Sequence, residues 1–192
     1  KSEEETKRLA VDGGESLGEE LRLAEPETRV REIYLDHNAT TPLLPEVRTA
    51  MREFMGEYGN PSSIHQAGAR ARVAVNEARR KIAASVGCTA RRVIFTGSGS
   101  EANNLAIKGV AFRNWERGGH FLTTGMEHPS VGNACSWLER MGFSVTYLRP
   151  DSQGVIDPEA FERAITSHTV MASVMLANNE TGVIQPVAEA AA

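Results

Sequence analysis

Residues 93–108 have the sequence VIFTGSGSEANNLAIK, in which a strand pattern changes directly into a helix pattern. Residues 93–96 are β-branched or aromatic, which predicts a strand buried on both faces. Beyond the glycines, apolar residues recur at helical spacing. Ser98, followed three residues later by Glu101, forms a capping-box pattern and predicts that the helix begins at Ser98. The stretch therefore predicts a strand, a tight turn and a helix.

The start of this helix is suited to binding an anion. The first amides of a helix have no partner within it, and the aligned peptide dipoles place about half a positive charge there. Gly97 and Gly99 carry no side chain that would block a ligand, and Ser98 and Ser100 add hydroxyl donors. Phosphate is the ligand that such a helix start favours. No GK[ST] sequence follows, which excludes a Walker nucleotide loop.

Two other interpretations of the turn stay open at this level. Turns of glycine and serine between a strand and a helix also occur for purely structural reasons. In addition, Gly97, Gly99 and Ala102 fit the dinucleotide-binding pattern GxGxxG/A. Glu127 lies beyond the next predicted strand, where a ribose-binding acid is expected in that pattern. The turn alone does not choose among these interpretations.

Composition and charge limit the classes of function. The chain has 192 residues, of which 41% are hydrophobic and 24% charged, as in an ordinary globular protein. Residues 1–32 hold ten acidic and six basic side chains, which accounts for the whole net charge of -4. The remainder is electrically balanced, which argues against nucleic acid as the main partner.

The cysteine content and the hydropathy pattern predict the location. Cys88 and Cys135 offer neither a disulfide framework nor metal-ligand spacing, so no metal site is predicted. No apolar run reaches membrane-spanning length, and no signal peptide is recognised, so no membrane partner is expected. These features together predict a cytoplasmic protein.

Strand and helix patterns alternate along the chain. Strands are predicted at residues 33–35, 93–96, 120–124, 144–148 and 169–176, and helices at about 45–55, 66–86, 98–110, 129–141 and 158–165. This alternation predicts an α/β fold with a mostly parallel sheet flanked by helices.

Polar residues follow the predicted strands at three places. They are Gly99 and Ser100, Glu127 and His128, and the run Asn178-Asn179-Glu180. In parallel sheets a ligand binds beyond the carboxyl ends of the strands. The convergence of these clusters favours a functional role for His128 over an ordinary surface position.

With these residues in view, the chain resembles the cysteine desulfurase and selenocysteine lyase family, which are class V aminotransferase-like enzymes of pyridoxal-phosphate fold type I. Five motifs in the family's order carry the resemblance: residues 34–42 (YLDHNATTP), 59–65 (GNPSSIH), 95–109 (FTGSGSEANNLAIKG), 126–128 (MEH) and 178–182 (NNETG). They favour this family over a dinucleotide-binding domain, which is kept as a remote alternative. The fold is then expected to be the large domain of fold type I.

The resemblance implies roles for individual residues. Gly99 and Ser100 would bind the phosphate of pyridoxal 5'-phosphate, and Asn179 would donate to the hydroxyl oxygen of its ring. His128 would stack on the ring and transfer protons. Asn38 and Ala39 would border the substrate.

The resemblance also implies an activity and partners. Family members remove sulfur from L-cysteine, giving alanine and an enzyme persulfide, and pass the sulfur to an iron-sulfur scaffold or another acceptor protein. Selenocysteine is the alternative substrate. A homodimer is the expected assembly.

The sequence departs from the family in length. Family members are much longer, and Lys1, Lys7, Lys81 and Lys108 do not match the Schiff-base lysine, nor do the two cysteines match the sulfur-accepting position. We therefore expect a mobile acidic extension at 1–32, a segment resembling part of the small domain at 33–60, and a truncated first part of the cofactor-binding large domain at 61–192. Such a chain is expected to be inactive alone; the alternative is a non-catalytic half that needs a complementing chain.

Overall fold

The computed structural model describes residues 33–191. The predicted acidic extension, residues 1–32, lies outside the described residues. The chain divides into two compact units, Lys1–Pro42 and Leu43–Ala192, and each is described by itself. The division expected near residue 60, with a small-domain segment before it, stays a prediction.

The described part of the first unit, residues 33–42, is a short extended segment with one turn. Its turn is closed by the Ala39 N–H, which donates to the carbonyl oxygen of Asp36 at 3.2 Å. The ring of Tyr34 packs edge-on against the ring of His37, with 5.0 Å between their centroids. The strand predicted at residues 33–35 is not formed, and Leu35 is exposed.

A parallel sheet of three strands forms the centre of the second unit. The strands are β1 (His120–Thr124), β2 (Ser144–Leu148) and β3 (Thr169–Ala172), in the order β2-β1-β3. The strand β1 pairs in parallel with both neighbours, and all five of its residues are buried. The predicted parallel α/β fold is therefore confirmed, although β3 ends at Ala172 and not at residue 176.

Six helices accompany the sheet within residues 43–191. They are α1 (Pro45–Phe54), α2 (Gln66–Ser85), α3 (Gly99–Arg113), α4 (Pro129–Arg140), α5 (Pro158–Ala164) and α6 (Val187–Ala190), and a single 3₁₀ turn lies at Ala90–Arg92. Among the described residues, no helix is both long enough and apolar enough to cross a bilayer.

Local capping groups explain where four of these helices begin. The Ser98 hydroxyl accepts the Glu101 N–H at 3.2 Å, as the sequence predicts, and Asp157 caps α5 in the same way. Two histidines also act as N-caps: His65 at the start of α2 and His128 at the start of α4. Each cap satisfies one of the helix amides that lack an internal partner.

The main core lies between the sheet and the helices α3 and α4. Phe121 of β1 packs there with a cluster of buried side chains, Ile107, Ala111, Val131, Ala134, Cys135, Leu138 and Phe143. Leu122 and Thr124 point to the opposite face of the sheet, since side chains alternate along a strand, and they are buried too. Both faces of β1 are thus covered, and its polar residues His120, Thr123 and Thr124 are buried with the apolar ones.

The strand predicted at residues 93–96 is not formed. This segment is extended but pairs with no described strand, and Ile94 is 69% exposed. Arg79 of α2 holds it, because its Nε donates to the Val93 carbonyl oxygen at 3.1 Å and its guanidinium lies 5.3 Å from the centre of the Phe95 ring. A strand exists only where a neighbouring strand accepts its hydrogen bonds, and none of the described strands lies beside it.

Gly68 allows the loop before α2 to lie close to the first turn of that helix. A Cβ at Gly68 would lie 2.5 Å from the Ser63 carbonyl oxygen and 2.7 Å from the Asn60 carbonyl oxygen. Both are backbone atoms, so the loop would have to move. By contrast, a Cβ at Gly109, inside α3, would meet nothing within 4 Å.

We expect Gly68→Ala to lower the free energy of unfolding by about 1–3 kcal/mol, because it overpacks backbone against backbone. The matched control Gly109→Ala should raise it by up to about 1 kcal/mol, since alanine is the better helix former. Urea denaturation of both variants measures the two changes. Equal effects of the two substitutions would contradict the close packing at Gly68.

Candidate functional site at the carboxyl edge of the sheet

Three segments meet beyond the carboxyl end of β1. They are the start of α3, the segment 125–130 that leads from β1 into α4, and the segment 173–185 that follows β3. Asn103 of α3 donates to the Ser130 hydroxyl at 2.9 Å, and Asn178 donates to the Met126 carbonyl oxygen at 3.1 Å. The three predicted polar clusters therefore lie on segments that hydrogen bonds tie together. We call Gly99, Ser100, Asn103, His128 and Asn178 the edge site.

The start of α3 keeps two backbone amides free for a ligand. Its capping box uses the Glu101 N–H, which donates to Ser98, and the Gly97 N–H, which donates to the Glu101 carboxylate at 2.7 Å. Among the described residues, no group accepts from the amides of Gly99 and Ser100 or from the Ser100 hydroxyl. A Cβ at Gly99 would also meet nothing within 4 Å. The open donors are thus those of the two residues predicted from the sequence.

His128 is the first residue of the edge site that follows β1 along the chain. It is exposed, and its Nδ1 accepts the Ser130 N–H at 3.1 Å as the N-cap of α4. The Ser130 hydroxyl lies 2.8 Å from the same nitrogen. No described group lies within hydrogen-bonding distance of Nε2. His128 therefore combines a structural contact at one ring nitrogen with an open second nitrogen.

Glu127 joins the end of β1 to the segment after β3. Its Oε1 accepts the Met175 N–H at 2.8 Å and the Thr124 hydroxyl at 3.0 Å. This internal role argues against the dinucleotide interpretation, in which the carboxylate would have to accept ribose hydroxyls. The sequence placed Glu127 at the right edge of the sheet but not in this role.

Asn178 fixes the loop that carries Asn179. Its Oδ1 accepts the N–H groups of Glu180 and Thr181 at 3.0 and 2.9 Å. An isolated antiparallel bridge between Ala177 and Ile184 closes the base of this loop. Asn179 lies exposed on the loop, directly beside the residue that anchors it.

Gln185 is a structural residue that sequence reasoning missed. It is buried, its Oε1 accepts the Ile156 N–H at 2.9 Å, and its Nε2 donates to the Gly154 carbonyl oxygen at 2.8 Å. Asn103 and Ser130 were also missed, although Asn103 follows Ser100 by three residues and so lies on the same helix face. That spacing is the signal that could have found it.

Two predicted residues belong to the first unit of the chain. Asn38 and Ala39 belong to the turn of the first unit and are exposed, so their role at the substrate stays a prediction. Among residues 33–191, no group of three or more His, Cys, Asp and Glu side chains is arranged to hold a metal ion.

Burial governs the electrostatics beside the edge site. Loss of hydration raises the pKa of Glu127, and the hydrogen bonds from Met175 and Thr124 oppose that rise only in part. Burial also raises the pKa of the Cys135 thiol to about 11, and the negative charges of Glu127 and Glu139 add to the effect. Cys135 is therefore a protonated, unreactive thiol near neutral pH.

The raised pKa of Glu127 predicts a pH-dependent stability. The folded protein holds this proton more tightly than the unfolded chain. The contribution of Glu127 to the free energy of unfolding should therefore fall as the pH rises from the ordinary carboxyl pKa, about 4.3, to the higher folded value, and stay level above it. Glu127→Gln keeps the Oε1 acceptor and should remove this fall. Glu127→Ala should cost about 1–3 kcal/mol, because the Met175 N–H loses its acceptor.

Urea denaturation across pH 4 to 8 measures both effects. Glu162→Gln, which removes an exposed carboxylate from α5, is the control for the loss of one negative charge. A Glu127→Gln curve parallel to that of the unsubstituted protein would refute the assignment.

The described geometry can be compared with known proteins. The family model for aminotransferase class-V matches residues 33–192. The cysteine desulfurase IscS of Dictyoglomus turgidum is 48% identical over 160 residues, which cover 83% of this chain and 41% of that protein. The chain thus spans about two fifths of the length of that curated relative.

Solved structures agree with the sequence matches. A structure described as SspA in complex with cysteine superposes with a TM-score of 0.77 at 39% identity, covering 82% of this chain and 46% of that one. A NifS-like protein superposes with a TM-score of 0.79 at 36% identity, covering 83% and 44%. Because the family model covers residues 33–192, which include all the described residues, the chain belongs to the aminotransferase class-V family.

Proposed function

We propose that this chain forms the phosphate-binding and ring-binding part of a pyridoxal-phosphate-dependent cysteine desulfurase. The cysteine desulfurases of this family depend on that cofactor, and the curated relatives bear that name. The observation that carries the proposal is the first turn of α3. There the capping box occupies the flanking amides and leaves those of Gly99 and Ser100 open.

The residues of the edge site, together with Asn179, fit the cofactor. Two open amides, one hydroxyl and the positive end of a helix of fifteen residues suit a phosphate group. His128 offers an exposed ring that can stack on a flat heterocycle. Asn179 lies on a loop that Asn178 anchors, and its amide would donate to the ring hydroxyl oxygen.

The cofactor supplies an electron sink for bond cleavage next to the amino group of an amino acid. This chain would bind its phosphate through Gly99 and Ser100 and orient its ring against His128. His128 would also move a proton through Nε2, the ring nitrogen that the N-cap contact leaves open. Asn38 and Ala39 are proposed to border the substrate.

We propose L-cysteine as the substrate, with selenocysteine as the alternative. The relative solved with cysteine supports the choice. The products would be alanine and a persulfide on a cysteine of the complete enzyme, which passes the sulfur to an iron-sulfur scaffold or another acceptor. A homodimer in the cytoplasm is the proposed setting, and two free thiols are consistent with a reducing compartment.

The covalent chemistry is proposed to need residues beyond these 192. The Lys108 ammonium lies 5.1 Å from the centre of the Trp137 ring, and its Cα is about 12 Å along α3 from Ser100. Cys135 is buried and protonated. We therefore propose that the chain acts as a binding half that a further polypeptide segment completes, either in the same chain or in a complementing one.

The proposed binding of phosphate by Gly99 and Ser100 is tested by titration of the chain with pyridoxal 5'-phosphate and with pyridoxal. Ser100→Ala should weaken binding of the phosphate form by about tenfold or more, because a hydrogen bond to a charged group contributes about 1.5–3 kcal/mol. Glu101→Gln keeps an acceptor for the Gly97 N–H but removes a negative charge. It should tighten binding by about two- to threefold, less at high salt.

Pyridoxal, which lacks the phosphate, should respond to neither substitution. Ser85→Ala is the matched control, because the Ser85 hydroxyl donates to the Ile82 carbonyl oxygen within α2. Equal affinity for the two ligands would overturn the assignment of the α3 start to phosphate.

The proposal that this chain binds the cofactor but lacks the covalent lysine is tested by borohydride reduction of the chain with bound cofactor. The modified residues are then mapped by mass spectrometry. We expect phosphate-dependent binding without a specific adduct on Lys1, Lys7, Lys81 or Lys108, and no alanine released from L-cysteine. A stoichiometric adduct on Lys108 would show that the chain carries its own covalent lysine.

A further inference from the structure

A chain of hydrogen bonds runs from α3 to His128. The Asn103 Nδ2 donates to the Ser130 Oγ at 2.9 Å, and that oxygen lies 2.8 Å from Nδ1 of His128. The Ser130 backbone N–H donates to the same Nδ1 at 3.1 Å. Asn103 and Ser130 are half-buried, whereas His128 is exposed. We call these three side chains the Asn103 relay.

One fixed donor sets the direction of every bond in the Asn103 relay. A backbone N–H can only donate, so Nδ1 of His128 must present its lone pair to Ser130. The Ser130 hydroxyl, 2.8 Å from that lone pair, must then donate its single proton to it. Its oxygen has lone pairs left, which accept from the Asn103 amide.

We propose that Asn103 and Ser130 are positioning residues that hold the neutral ring of His128 with its proton on Nε2. The proton thus lies on the nitrogen that contacts no described group and that points away from the cap of α4. The catalytic consequence of this inference rests on the proposed function. There, His128 would meet the reacting groups as a donor through Nε2, not as a base through Nδ1.

The Asn103 relay also links two parts of the edge site. Asn103 follows Ser100 by three residues and Gly99 by four, so these residues share one face of α3. Because one helix carries all three residues, it fixes the position of the Asn103 amide relative to Gly99 and Ser100. Through Asn103, the same helix helps to set the orientation of the His128 ring. Rotation of the ring would break two contacts at Nδ1, which makes this arrangement more rigid than an N-cap alone.

The test is the tautomer of His128, read from nitrogen chemical shifts of the chain labelled with ¹⁵N-histidine at about pH 8, above the usual titration range. Long-range proton–nitrogen correlations distinguish a protonated ring nitrogen from one with a lone pair. The chain has five histidines, and His128→Gln assigns the signal. We expect the proton on Nε2 and the lone pair on Nδ1.

Asn103→Asp reverses the polarity of the Asn103 relay with little change of shape. The new carboxylate would accept the Ser130 hydroxyl proton, so the Ser130 oxygen would accept from Nδ1 instead of donating to it. The ratio of the two tautomers should move toward Nδ1 protonation by about fivefold. Ser130→Ala should move it less, because the backbone N–H still donates to Nδ1.

Asn104→Asp is the matched control. It places the same charge on the same turn of α3, but Asn104 donates to the Ser100 carbonyl oxygen and not to Ser130. The inference is overturned by Nδ1 protonation in the unsubstituted chain, by equal ratios for Asn103→Asp and Asn104→Asp, or by an unchanged ratio in Ser130→Ala. The measurement uses no cofactor, so its failure is separate from a failure of the phosphate titration.

Discussion

The central position of β1 is the constraint on which the edge site depends. This strand is buried along its whole length and pairs in parallel with both β2 and β3, so its carboxyl end lies at the same edge as theirs. The chain that leaves β1 therefore meets the chain that leaves β3. Glu127 joins the two segments, because its Oε1 accepts hydrogen bonds from the Thr124 hydroxyl and from the Met175 N–H. These two hydrogen bonds oppose the cost of burying the carboxylate and help to hold the segments of Asn178 and His128 at one edge.

Groups that cap helices also define what is left for a ligand. The capping box of α3 satisfies the amides of Gly97 and Glu101, and so the donors of Gly99 and Ser100 stay open between them. At α4, the cap uses one nitrogen of His128 and leaves the other. A structural and a functional interpretation of these residues are therefore compatible. The cap restricts the orientation of the His128 ring and leaves its Nε2 open on an exposed side chain.

The sequence predicted the elements whose causes are local. The strands β1 and β2 and the starts of α3, α4 and α5 follow from short apolar runs, prolines and caps within a few residues. The strand predicted at residues 93–96 is wrong because none of the described strands lies beside it to accept its hydrogen bonds. The contacts of Glu127 with Met175 and of Asn103 with Ser130 join residues 48 and 27 positions apart. No periodicity encodes such pairs, so the sequence placed Gly99, Ser100 and His128 at one edge of the sheet but did not find their contacts with distant residues.

The surroundings of Cys135 on α4 and of Lys108 on α3 bear on the proposed separation of binding from covalent chemistry. A sulfur acceptor must be a thiolate, and a covalent lysine must reach the ring of its ligand. Cys135 lies in the core beside α3, where burial and two nearby carboxylates favour the thiol. Lys108 is held over Trp137, two turns along α3 from the open amides. The packing around α3 and α4 thus buries Cys135 and places Lys108 over Trp137, which disfavours both side chains as nucleophiles. Under the proposed function, the covalent lysine and the sulfur-accepting cysteine would therefore come from a further polypeptide segment.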